Sequence, residues 1–524
     1  MTQEGTSRER VQDISWVNPR DRSEVGTGVP LSTAADVTHA AGQAGQAASV
    51  LAERSLAERV DLLEAVAGAL ERSRPALVLL ADEETALGEA RLNAELTRTV
   101  HQLRFLADVI GDGSFLDATI DLAEEATALG AVPDLRRAGR AIGPVAVFAA
   151  SNFPFAFSVA GGDTASALAA GCPVVVKAHP GHPRLSAETG RVVQRALASV
   201  GSPEGTLAVV HGWEAGSALV RAPEICAVGF TGSQQGGRAL WNLANARPEP
   251  IPFFGELGSL NPVVVTPAAL RRRADEIAAG FVASFTLGGG QFCTKPGLMF
   301  VPAGGGLDAP LRRAVADISG GFMLTPQIRD ALAAGVARFE QLDGVESLAE
   351  GDESTGGLFA PARLFRIRAS DLANSRRALL DECFGPVSVI VEYADDDELF
   401  AALALVPGSL TFTVHADSSG DPLAPSLMTH ASTRAGRVIV NGWPTGVAVR
   451  HAMHHGGPHP TSTTPAATSV GSGALQRFLV PVCFQNVPDE LLPPPLRNAN
   501  PWGIRRRVNG QLTVEPIQQG REAS

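Results

Sequence analysis

The sequence predicts an α/β protein with two doubly wound parallel sheets. Between residues 145 and 260, short apolar runs alternate with helical stretches, beginning with Val145–Ala150, Asp163–Ala170 and Val174–Lys177. Such alternation is typical of parallel strands joined by helices. The same alternation resumes after residue 260, with the apolar runs Val263–Val265 and Leu298–Val301. These two sections predict two α/β domains.

The segments outside these sections carry weaker patterns. Residues 1–30 are polar and interrupted by Pro and Gly, which predicts a loosely packed entry segment. Apolar residues at helical spacing predict helices over Leu51–Arg72 and Ala90–Ile110. The segment Thr119–Arg140 is acidic and then basic, without a clear core pattern. In the tail, Phe478–Phe484 and Trp502–Leu512 predict edge strands joined by the Pro-rich crossing Leu492–Leu496.

Composition excludes several classes of protein. A chain of 524 residues can form two or three domains with sizeable cores. Its formal charge of −12 argues against a surface for nucleic acid or anionic membrane. The five cysteines form no CxxC pair, which argues against a zinc knuckle or a disulfide framework. We see no secretory signal and no apolar run of transmembrane length, so we expect a soluble cytoplasmic protein.

A cysteine in a glycine-rich loop is the candidate nucleophile. Gly288–Gly290 come just before Cys293, so a substrate can approach the thiol and backbone N–H groups can face a negative oxygen. Lys295 is expected to favour the thiolate. Upstream, Glu256 lies in a Gly-flanked turn. The alternatives are a packing role for the cysteine and an N-cap or surface role for the glutamate.

A glycine-containing turn is the candidate phosphate site. Gly232–Gly237 follows the apolar run Ile225–Phe230 and precedes the predicted helix Arg238–Ala246. The start of a helix offers free N–H groups to a phosphate. The alternative is an ordinary strand-to-helix turn, since the spacing is not G-x-G-x-x-G. Four polar residues near predicted strand ends are expected to face one crevice: Asn152, Lys177, His211 and Thr231.

Seven ordered stretches resemble the aldehyde dehydrogenase superfamily, most closely its branch of α-ketoglutaric semialdehyde (2,5-dioxovalerate) dehydrogenases and NADP-dependent fatty aldehyde dehydrogenases. The resemblance implies the family's two-domain α/β fold and NAD(P)-dependent oxidation of an aldehyde to a carboxylate. The stretches are Ser151–Pro183, Phe230–Gly237, Glu256–Pro262, Gly290–Pro296, Glu382–Pro386, Asn441–Gly446 and Phe484–Gly510.

The resemblance implies three catalytic residues. Cys293 attacks the aldehyde and carries first a thiohemiacetal and then a thioester. The Asn152 side chain and the Cys293 N–H bind the oxyanion. Glu256 activates the water that hydrolyses the thioester. A turn-forming role is the alternative for Asn152.

Cofactor contacts follow from the same resemblance. Lys177 corresponds to the lysine that holds the adenosine ribose, and Glu382 to the carboxylate that holds the nicotinamide ribose, with Phe384 packing beside it. The alternatives are solvated charges for Lys177 and Glu382 and core packing for Phe384. The pyrophosphate turn contributes Gly232, Ser233 and Gly237.

One departure from the family pattern concerns cofactor choice. Pro180 stands where many NAD-preferring members have a glutamate that accepts from the ribose 2′-OH. Losing that carboxylate removes a repulsive partner for a 2′-phosphate. We therefore expect NADP to be preferred, with NAD also used. The residues expected to add positive or titratable groups nearby are Lys177, His179, His182 and Arg184.

Family architecture implies a division of the chain and a homodimer or homotetramer. Residues 1–117 and 143–259 would form the NAD(P)-binding domain, and residues 260–445 the catalytic domain. Residues 118–142 and 478–515 would supply oligomerisation strands, and residues 446–477 a substrate-channel loop.

Substrate choice stays open between α-ketoglutaric semialdehyde, oxidised to 2-oxoglutarate, and a long-chain aldehyde. A CoA-acylating enzyme and a non-catalytic binding protein are the alternatives from other classes; Glu256 argues against the first. The run His451–His459 has no acidic residue or helical ligand spacing, so we expect no metal. Cys383 is expected to pack in the core, and Arg450 is left unassigned.

Overall fold

The computed structural model describes residues 13–128, 130–352, 356–417 and 420–518. Three sheets of five, seven and five strands dominate the architecture, with helices packed on the first two. The fold class predicted from the alternation of strands and helices is confirmed. Among the helices described, none combines the length and the apolar character needed to cross a bilayer.

The N-terminal part is a hairpin followed by helices and short strands. Helices α1 and α2 each begin with a capping box, set by Thr33 and Ser55. The elements are β1 (Asp13–Val17), β2 (Glu24–Pro30), α1 (Ala34–Glu53), α2 (Leu56–Arg72), α3 (Arg74–Thr85), α4 (Glu89–Gly111), β3 (Thr119–Asp121), β4 (Glu124–Thr127), β5 (Gly130–Val132) and β6 (Leu135–Ala141).

The prediction of a loosely packed entry segment over residues 1–30 is wrong for residues 13–30. Residues 1–12 lie outside the described residues, but β1 and β2 pair as antiparallel strands. Trp16 is buried, and its indole N–H donates to the carbonyl of Glu84 at 3.0 Å. The sequence of β2 (EVGTGVP) has too few large apolar residues for a strand to be recognised.

The first sheet is entirely parallel, in the order β11-β10-β7-β8-β9. Strands β7 and β8 are fully buried, which explains their unbroken apolar sequences. The elements are β7 (Val145–Phe148), α5 (Gly162–Ala170), β8 (Val174–Lys177), α6 (Pro183–Ser199), β9 (Leu207–Val210), α7 (Trp213–Arg221), β10 (Ala227–Thr231), α8 (Gln234–Asn245) and β11 (Phe253–Glu256).

The second sheet has the order β15-β17-β18-β13-β12-β19-β20, and only its edge strand β15 runs antiparallel to its neighbour. The elements are β12 (Val263–Val265), α9 (Pro267–Thr286), β13 (Leu298–Pro302), α10 (Asp308–Ala316), β14 (Gly321–Phe322), α11 (Pro326–Glu340), β15 (Glu346–Glu350), β16 (Phe359–Ala360), β17 (Arg363–Arg368), α12 (Ala369–Leu379), β18 (Val387–Tyr393), α13 (Asp396–Leu405), β19 (Ser409–His415), α14 (Ala424–Arg434) and β20 (Ala435–Val440).

The third sheet combines two distant segments of the chain. Its strands follow the order β21-β6-β3-β22-β23. The tail therefore pairs with strands of its own chain from residues 118–142, the segment without a core pattern in the sequence. The tail strands are β21 (Leu479–Gln485), β22 (Arg506–Val508) and β23 (Gln511–Thr513).

A long loop without regular secondary structure runs from residue 441 to residue 471. It contacts the end of the first sheet through an isolated bridge between Glu256 and Ser462. The N–H of Leu257 also donates to the carbonyl of Thr461 at 2.7 Å. The loop therefore lies over the carboxyl end of β11, where ligands bind in open α/β sheets.

Candidate active site

The loop that carries Cys293 begins where α9 ends, at Thr286. Gly288–Gly290 have φ angles of 59°, 66° and 67°, a region that residues with side chains rarely adopt. A Cβ atom on Gly290 would lie 2.2 Å from the carbonyl carbon of Gly385. The Cys293 loop therefore packs backbone to backbone against the segment that carries Glu382.

The thiol of Cys293 faces a histidine from the long loop. Its Sγ lies 3.7 Å from Nε2 of His455. The backbone of His455 is held in place, because its N–H donates to Oγ1 of Thr468 at 2.8 Å. Burial lowers the pKa of His455 to about 3, so the ring is neutral at physiological pH and can accept from the thiol.

The electrostatic surroundings of the thiol favour its protonated form. Burial, followed by the nearby carboxyls of Glu256 and Glu382, raises the pKa of Cys293 to about 12. The guanidinium groups of Arg437 and Arg98 act in the opposite direction. Both carboxyls and both arginines are therefore close enough to Cys293 to influence its charge.

Asn152 lies against the same loop. Its side chain is buried, and Nδ2 donates to the carbonyl of Gln291 at 2.9 Å. The carbonyl of Asn152 accepts from Nη2 of Arg91 at 2.7 Å. The amide of Asn152 therefore contacts the loop two positions before Cys293. A donor placed there is suited to bind an oxygen of a substrate attached to the cysteine.

Glu256 ends β11 with its carboxyl enclosed. Oε1 accepts from Oγ of Ser462 at 3.4 Å, whereas Oε2 is buried and has no hydrogen-bond partner among the described residues. Burial raises the pKa of Glu256 well above its usual range, while Arg477 lowers it and Asp163 raises it further. Arg477 and Asp163 form an ion pair of 2.8 Å. A buried carboxyl with a free oxygen and a raised pKa is suited to general-base catalysis.

Lys295 does not serve the thiol as we expected. Its ammonium is buried and donates to the carbonyls of Cys383 and Val387, at 2.8 and 2.7 Å. It therefore joins the Cys293 loop to the start of β18. Cys383 itself is buried in an apolar cluster.

Glu382 and Phe384 lie on the segment that Lys295 holds. Burial raises the pKa of Glu382 to about 7, although Lys295 and the N–H of Ser259 act to lower it. Phe384 is half-buried. Glu382 thus approaches the Glu256–Pro262 stretch, since its Oε2 would lie 2.5 Å from a Cβ on Gly258.

Asn261 is a positioning residue that sequence reasoning missed. Its Nδ2 donates to the carbonyls of Cys293 and Lys295, at 2.8 and 2.9 Å. Its Oδ1 accepts from Oγ of Ser259 and from the N–H and Oγ1 of Thr411. One side chain therefore ties the Cys293 loop to β19. The Asn-Pro pair was visible in the sequence, but its partners were not.

The turn after β10 has the features expected of a phosphate site. Ser233 caps α8, and its Oγ accepts from the N–H of Gly236 at 3.2 Å. A Cβ on Gly232 would lie 2.8 Å from the ring of Phe230, and one on Gly237 would lie 2.3 Å from Leu257. Both glycines therefore allow α8 to begin close to the sheet edge.

Lys177 ends β8 at the same edge of the sheet. Burial lowers the pKa of its ammonium to about 8. The ammonium lies 5.9 Å from the ring centroid of Trp213, whose side chain is 82% exposed. The two side chains therefore lie beside the start of α7. Thr231 ends β10, and His211 follows β9 with a pKa lowered by burial to about 4.

The positive charge expected around Pro180 is smaller than the sequence suggested. His179 is half-buried and His182 is buried, and burial lowers the pKa of both. The ring nitrogens of His182 lie 3.0 Å from Oγ of Ser186 and from the carbonyl of Ala150. Arg184 is paired with Glu83 at 2.5 Å. Both histidines are therefore neutral packing residues.

The histidine run contributes one residue to the site and no cluster of ligands. Within the described ranges, no three His, Cys, Asp or Glu side chains are placed to hold a metal ion. His455 was not recognised as a thiol partner because the run lacks any periodicity that would orient its members. Arg450 is exposed.

Comparisons with known proteins agree with the motifs. The sequence profile described as "Aldehyde dehydrogenase family" matches residues 6–479. Alpha-ketoglutaric semialdehyde dehydrogenase 2 of Azospirillum brasilense is 46% identical over 96% of this chain and 96% of its own length. Alpha-ketoglutaric semialdehyde dehydrogenase of Acinetobacter baylyi is 42% identical over 95% of this chain and 96% of its own.

Solved structures agree with the fold. Aldehyde dehydrogenase C of Pseudomonas syringae, crystallised as a mutant with NAD+ and octanal, gives a TM-score of 0.77 at 20% identity, covering 92% of this chain and 95% of that one. A putative aldehyde dehydrogenase of Burkholderia cenocepacia gives 0.74 at 24% identity, covering 91% and 97%. The resemblance read from the motifs is confirmed, and the chain belongs to the aldehyde dehydrogenase family.

Proposed function

We propose that this chain oxidises 2,5-dioxopentanoate (α-ketoglutaric semialdehyde) to 2-oxoglutarate with an NAD(P) cofactor. The observation that carries the reaction is the grouping of Cys293, Glu256 and Asn152 around one enclosed loop. The substrate is supported by the two relatives with 46% and 42% identity, whose names specify this semialdehyde.

The first step is attack by the Cys293 sulfur on the aldehyde carbon. His455 accepts the thiol hydrogen bond and takes the proton as the sulfur–carbon bond forms. Burial disfavours both the free thiolate and the free imidazolium, so we expect bond formation and proton transfer to occur together. The new oxyanion accepts from the Cys293 N–H and from Nδ2 of Asn152, which would exchange its present bond to Gln291.

The second step is hydrolysis. A nicotinamide cofactor, when bound, would supply the hydride acceptor needed to convert the thiohemiacetal on Cys293 to a thioester. Glu256 takes a proton from water as the water attacks this thioester, because its raised pKa makes the carboxylate a stronger base. The buried Oε2, without a partner among the described residues, is the atom proposed to hold that water.

The residues at the edge of the first sheet fit a dinucleotide. Gly232, Ser233 and Gly237 leave the N-terminus of α8 open to a pyrophosphate. Lys177 is proposed to hold the adenosine ribose. Glu382, with Phe384 beside it, is proposed to hold the nicotinamide ribose.

We propose NADP as the preferred cofactor. The proposal is supported by Pro180 and not by the nearby histidines, since His179 and His182 are neutral and add no positive charge. Comparing kcat/KM for NADP+ and NAD+ in the wild type and in Pro180→Glu tests this. A carboxylate beside the 2′-phosphate should shift the ratio towards NAD+. An unchanged ratio would remove Pro180 from the argument.

We further propose that residues 1–117 and 143–259 form the NAD(P)-binding domain and residues 260–445 the catalytic domain. We also propose an assembly of at least two copies. The first sheet draws its strands from residues 145–256 and the second from residues 263–440. Strands β20 and β21 are sheet edges, and no described strand pairs with their outer sides. Unpaired edges are sites where a second copy can add strands.

The first experiment measures NADP+ and NAD+ reduction with α-ketoglutaric semialdehyde beside a series of aliphatic aldehydes. We expect the oxo acid to have the highest kcat/KM.

Cys293→Ala should lower turnover by roughly a thousandfold or more. Glu256→Gln should retain a first burst of reduced cofactor and then slow by about 100-fold or more, because acylation precedes the step that needs the base. If a long aldehyde had the higher kcat/KM, it would replace α-ketoglutaric semialdehyde as the proposed substrate. Stimulation of the wild-type enzyme by CoA would indicate acyl transfer to CoA instead of hydrolysis.

A further inference from the structure

Two arginines from different parts of the fold converge on one segment near the thiol. Arg98 projects from α4, and its Nη2 approaches the carbonyl of Val447 at 3.4 Å. Arg437 projects from β20, and its Nη1 and Nη2 donate to the carbonyls of Gly446 and Pro444, at 2.9 and 2.5 Å. Both guanidinium groups therefore lie beside residues 444–447.

Both groups retain unused hydrogen-bonding capacity. A guanidinium has five N–H donors. Nε of Arg437 is buried and has no partner among the described residues. The bonds of Arg98, to Val447 and to Oε1 of Gln102 at 3.5 Å, are both long. An anion entering this region would find donors that protein groups do not saturate.

Neighbouring aromatic rings lie between Arg98 and the reacting sulfur. The guanidinium of Arg98 lies 5.2 Å from the ring centroid of Phe157. That ring is 6.3 Å from the ring of His455, which contacts Cys293. Arg437 and Arg98 both influence the charge of Cys293 and of His455. Both guanidinium groups are therefore near enough to the thiol to act on it electrostatically.

One carboxyl partly offsets this charge. Glu95 lies on α4 between Arg91 and Arg98, and its Oε1 accepts from the N–H groups of Phe155 and Ala156. Burial raises the pKa of Glu95. Arg91 donates through Nη2 to the carbonyl of Asn152 at 2.7 Å, and its buried Nη1 has no partner among the described residues. Arg98 and Arg437 differ from Arg91 in that both bond to residues 444–447, so they are the pair that can act on one ligand group there.

We propose that Arg98 and Arg437 bind the carboxylate of a short aldehyde acid while its aldehyde carbon lies at Cys293. This inference rests on the proposed function, and it identifies the carboxylate site that such a substrate needs. An extended five-carbon chain spans about 5 Å between its terminal carbons, since each carbon–carbon bond is about 1.5 Å. Two guanidinium groups can hold a carboxylate with charge-assisted bonds on both oxygens.

The test compares α-ketoglutaric semialdehyde with pentanal, a neutral aldehyde of the same length. In Arg98→Met and Arg437→Met we expect kcat/KM for the oxo acid to fall by about 30-fold or more, mainly through KM, because each charge-assisted pair contributes roughly 2 kcal/mol. Pentanal turnover should change less than about threefold, which also shows that the variants fold. Lysine at either position should recover part of the loss.

A second readout does not depend on turnover. Glutarate, a five-carbon dianion, should slow alkylation of Cys293 by iodoacetamide in the wild type and protect far less in either methionine variant. Arg104→Met is the matched control on α4, because Arg104 is exposed and pairs with Glu64 at 3.3 Å. It should retain both the preference for the oxo acid and the protection by glutarate.

The wild type tests the substrate and the variants test the arginines. If the wild type prefers pentanal to the oxo acid, the proposed substrate and the anchor both fail. If it prefers the oxo acid and both methionine variants keep that preference, the substrate stands and the anchor is overturned. Equal losses on the oxo acid and on pentanal would also overturn the anchor, since the arginines would then act only on the fold.

Discussion

Asn261 shows how one side chain can determine where a reactive thiol lies. It donates to two carbonyls of the Cys293 loop and accepts from β19. We expect Asn261→Asp to lower kcat by roughly 10- to 100-fold, because a carboxylate would face the carbonyls of Cys293 and Lys295 and displace the thiol. Cofactor affinity, measured by fluorescence titration, should change little. A variant with wild-type kcat would show that the loop holds its position without these bonds.

His455 should control how activity depends on pH. Because burial lowers the pKa of His455 to about 3 and raises that of Cys293 to about 12, the neutral thiol and neutral ring persist from pH 6 to pH 9. We expect His455→Phe to lower kcat/KM at pH 7 by about tenfold, less than the usual general-base effect, because a ring with so low a pKa is a weak base.

The pH profile separates this role from simple packing. The deficit of His455→Phe should shrink as the pH approaches 10, because more Cys293 is then deprotonated without help. The measurement is kcat/KM for wild type and variant from pH 6.5 to pH 10. A deficit that stays constant over this range would indicate that the ring only shapes the pocket.

The site was only partly predictable, because some of its residues lie in recognisable sequence motifs and others do not. Cys293 and Glu256 lie within short motifs flanked by glycines, and Asn152 lies within a stretch that resembles the family, so the local sequence identifies all three. His455 is 162 positions from Cys293 in a loop without periodicity. Arg98 lies within an ordinary amphipathic helix. Only the tertiary fold brings such residues to the thiol.

Among the elements, the start of α6 depends on a carboxyl from α3. Glu84 is fully buried and accepts from the N–H groups of Arg184 and Leu185, at 3.0 and 2.9 Å. Burial raises its pKa to about 7, although these two bonds act to lower it. The folded protein therefore binds this proton more tightly than the unfolded chain, where a glutamate titrates near 4.3.

This difference has a definite sign. Between about pH 4.3 and pH 7, the proton stays on Glu84 in the folded state and is lost in the unfolded state, so the contribution of Glu84 to stability falls as the pH rises. We expect Glu84→Gln, which keeps an acceptor oxygen, to remove this slope. Urea unfolding at pH 5 and pH 7.5 measures it. Parallel pH dependence in both proteins would show that Glu84 titrates normally.

Elements were predictable where burial imposes a simple pattern. Strands β7 and β8 are apolar on both faces, and the long helices have clear apolar stripes, so these elements were recognised from the sequence. Strand β11 was missed, because its sequence FFGE was interpreted as part of a glycine-flanked turn around Glu256. Strands β3 and β6 contain few large apolar residues. Their pairing with a tail more than 300 residues away cannot be inferred from local sequence.

At the scale of the whole molecule, the strand edges predict assembly. Strand β20 ends the seven-stranded sheet, and its Val440 is 51% exposed. A half-exposed apolar edge strand is a site that a second copy can cover by adding a strand. The formal charge of −12 on each copy opposes association at low salt, so the contact must gain its stability from apolar burial and backbone pairing.

We therefore expect light scattering on the eluting protein to give at least twice 54.4 kDa. Val440→Lys should shift the mass towards one copy, because a charge on an edge strand blocks pairing. Leu79→Lys is the matched control, since Leu79 is 56% exposed on α3, away from any sheet edge, and should leave the mass unchanged. Elution of the wild type at 54.4 kDa would contradict the assembly, and a Val440→Lys protein of unchanged mass would move the contact away from β20.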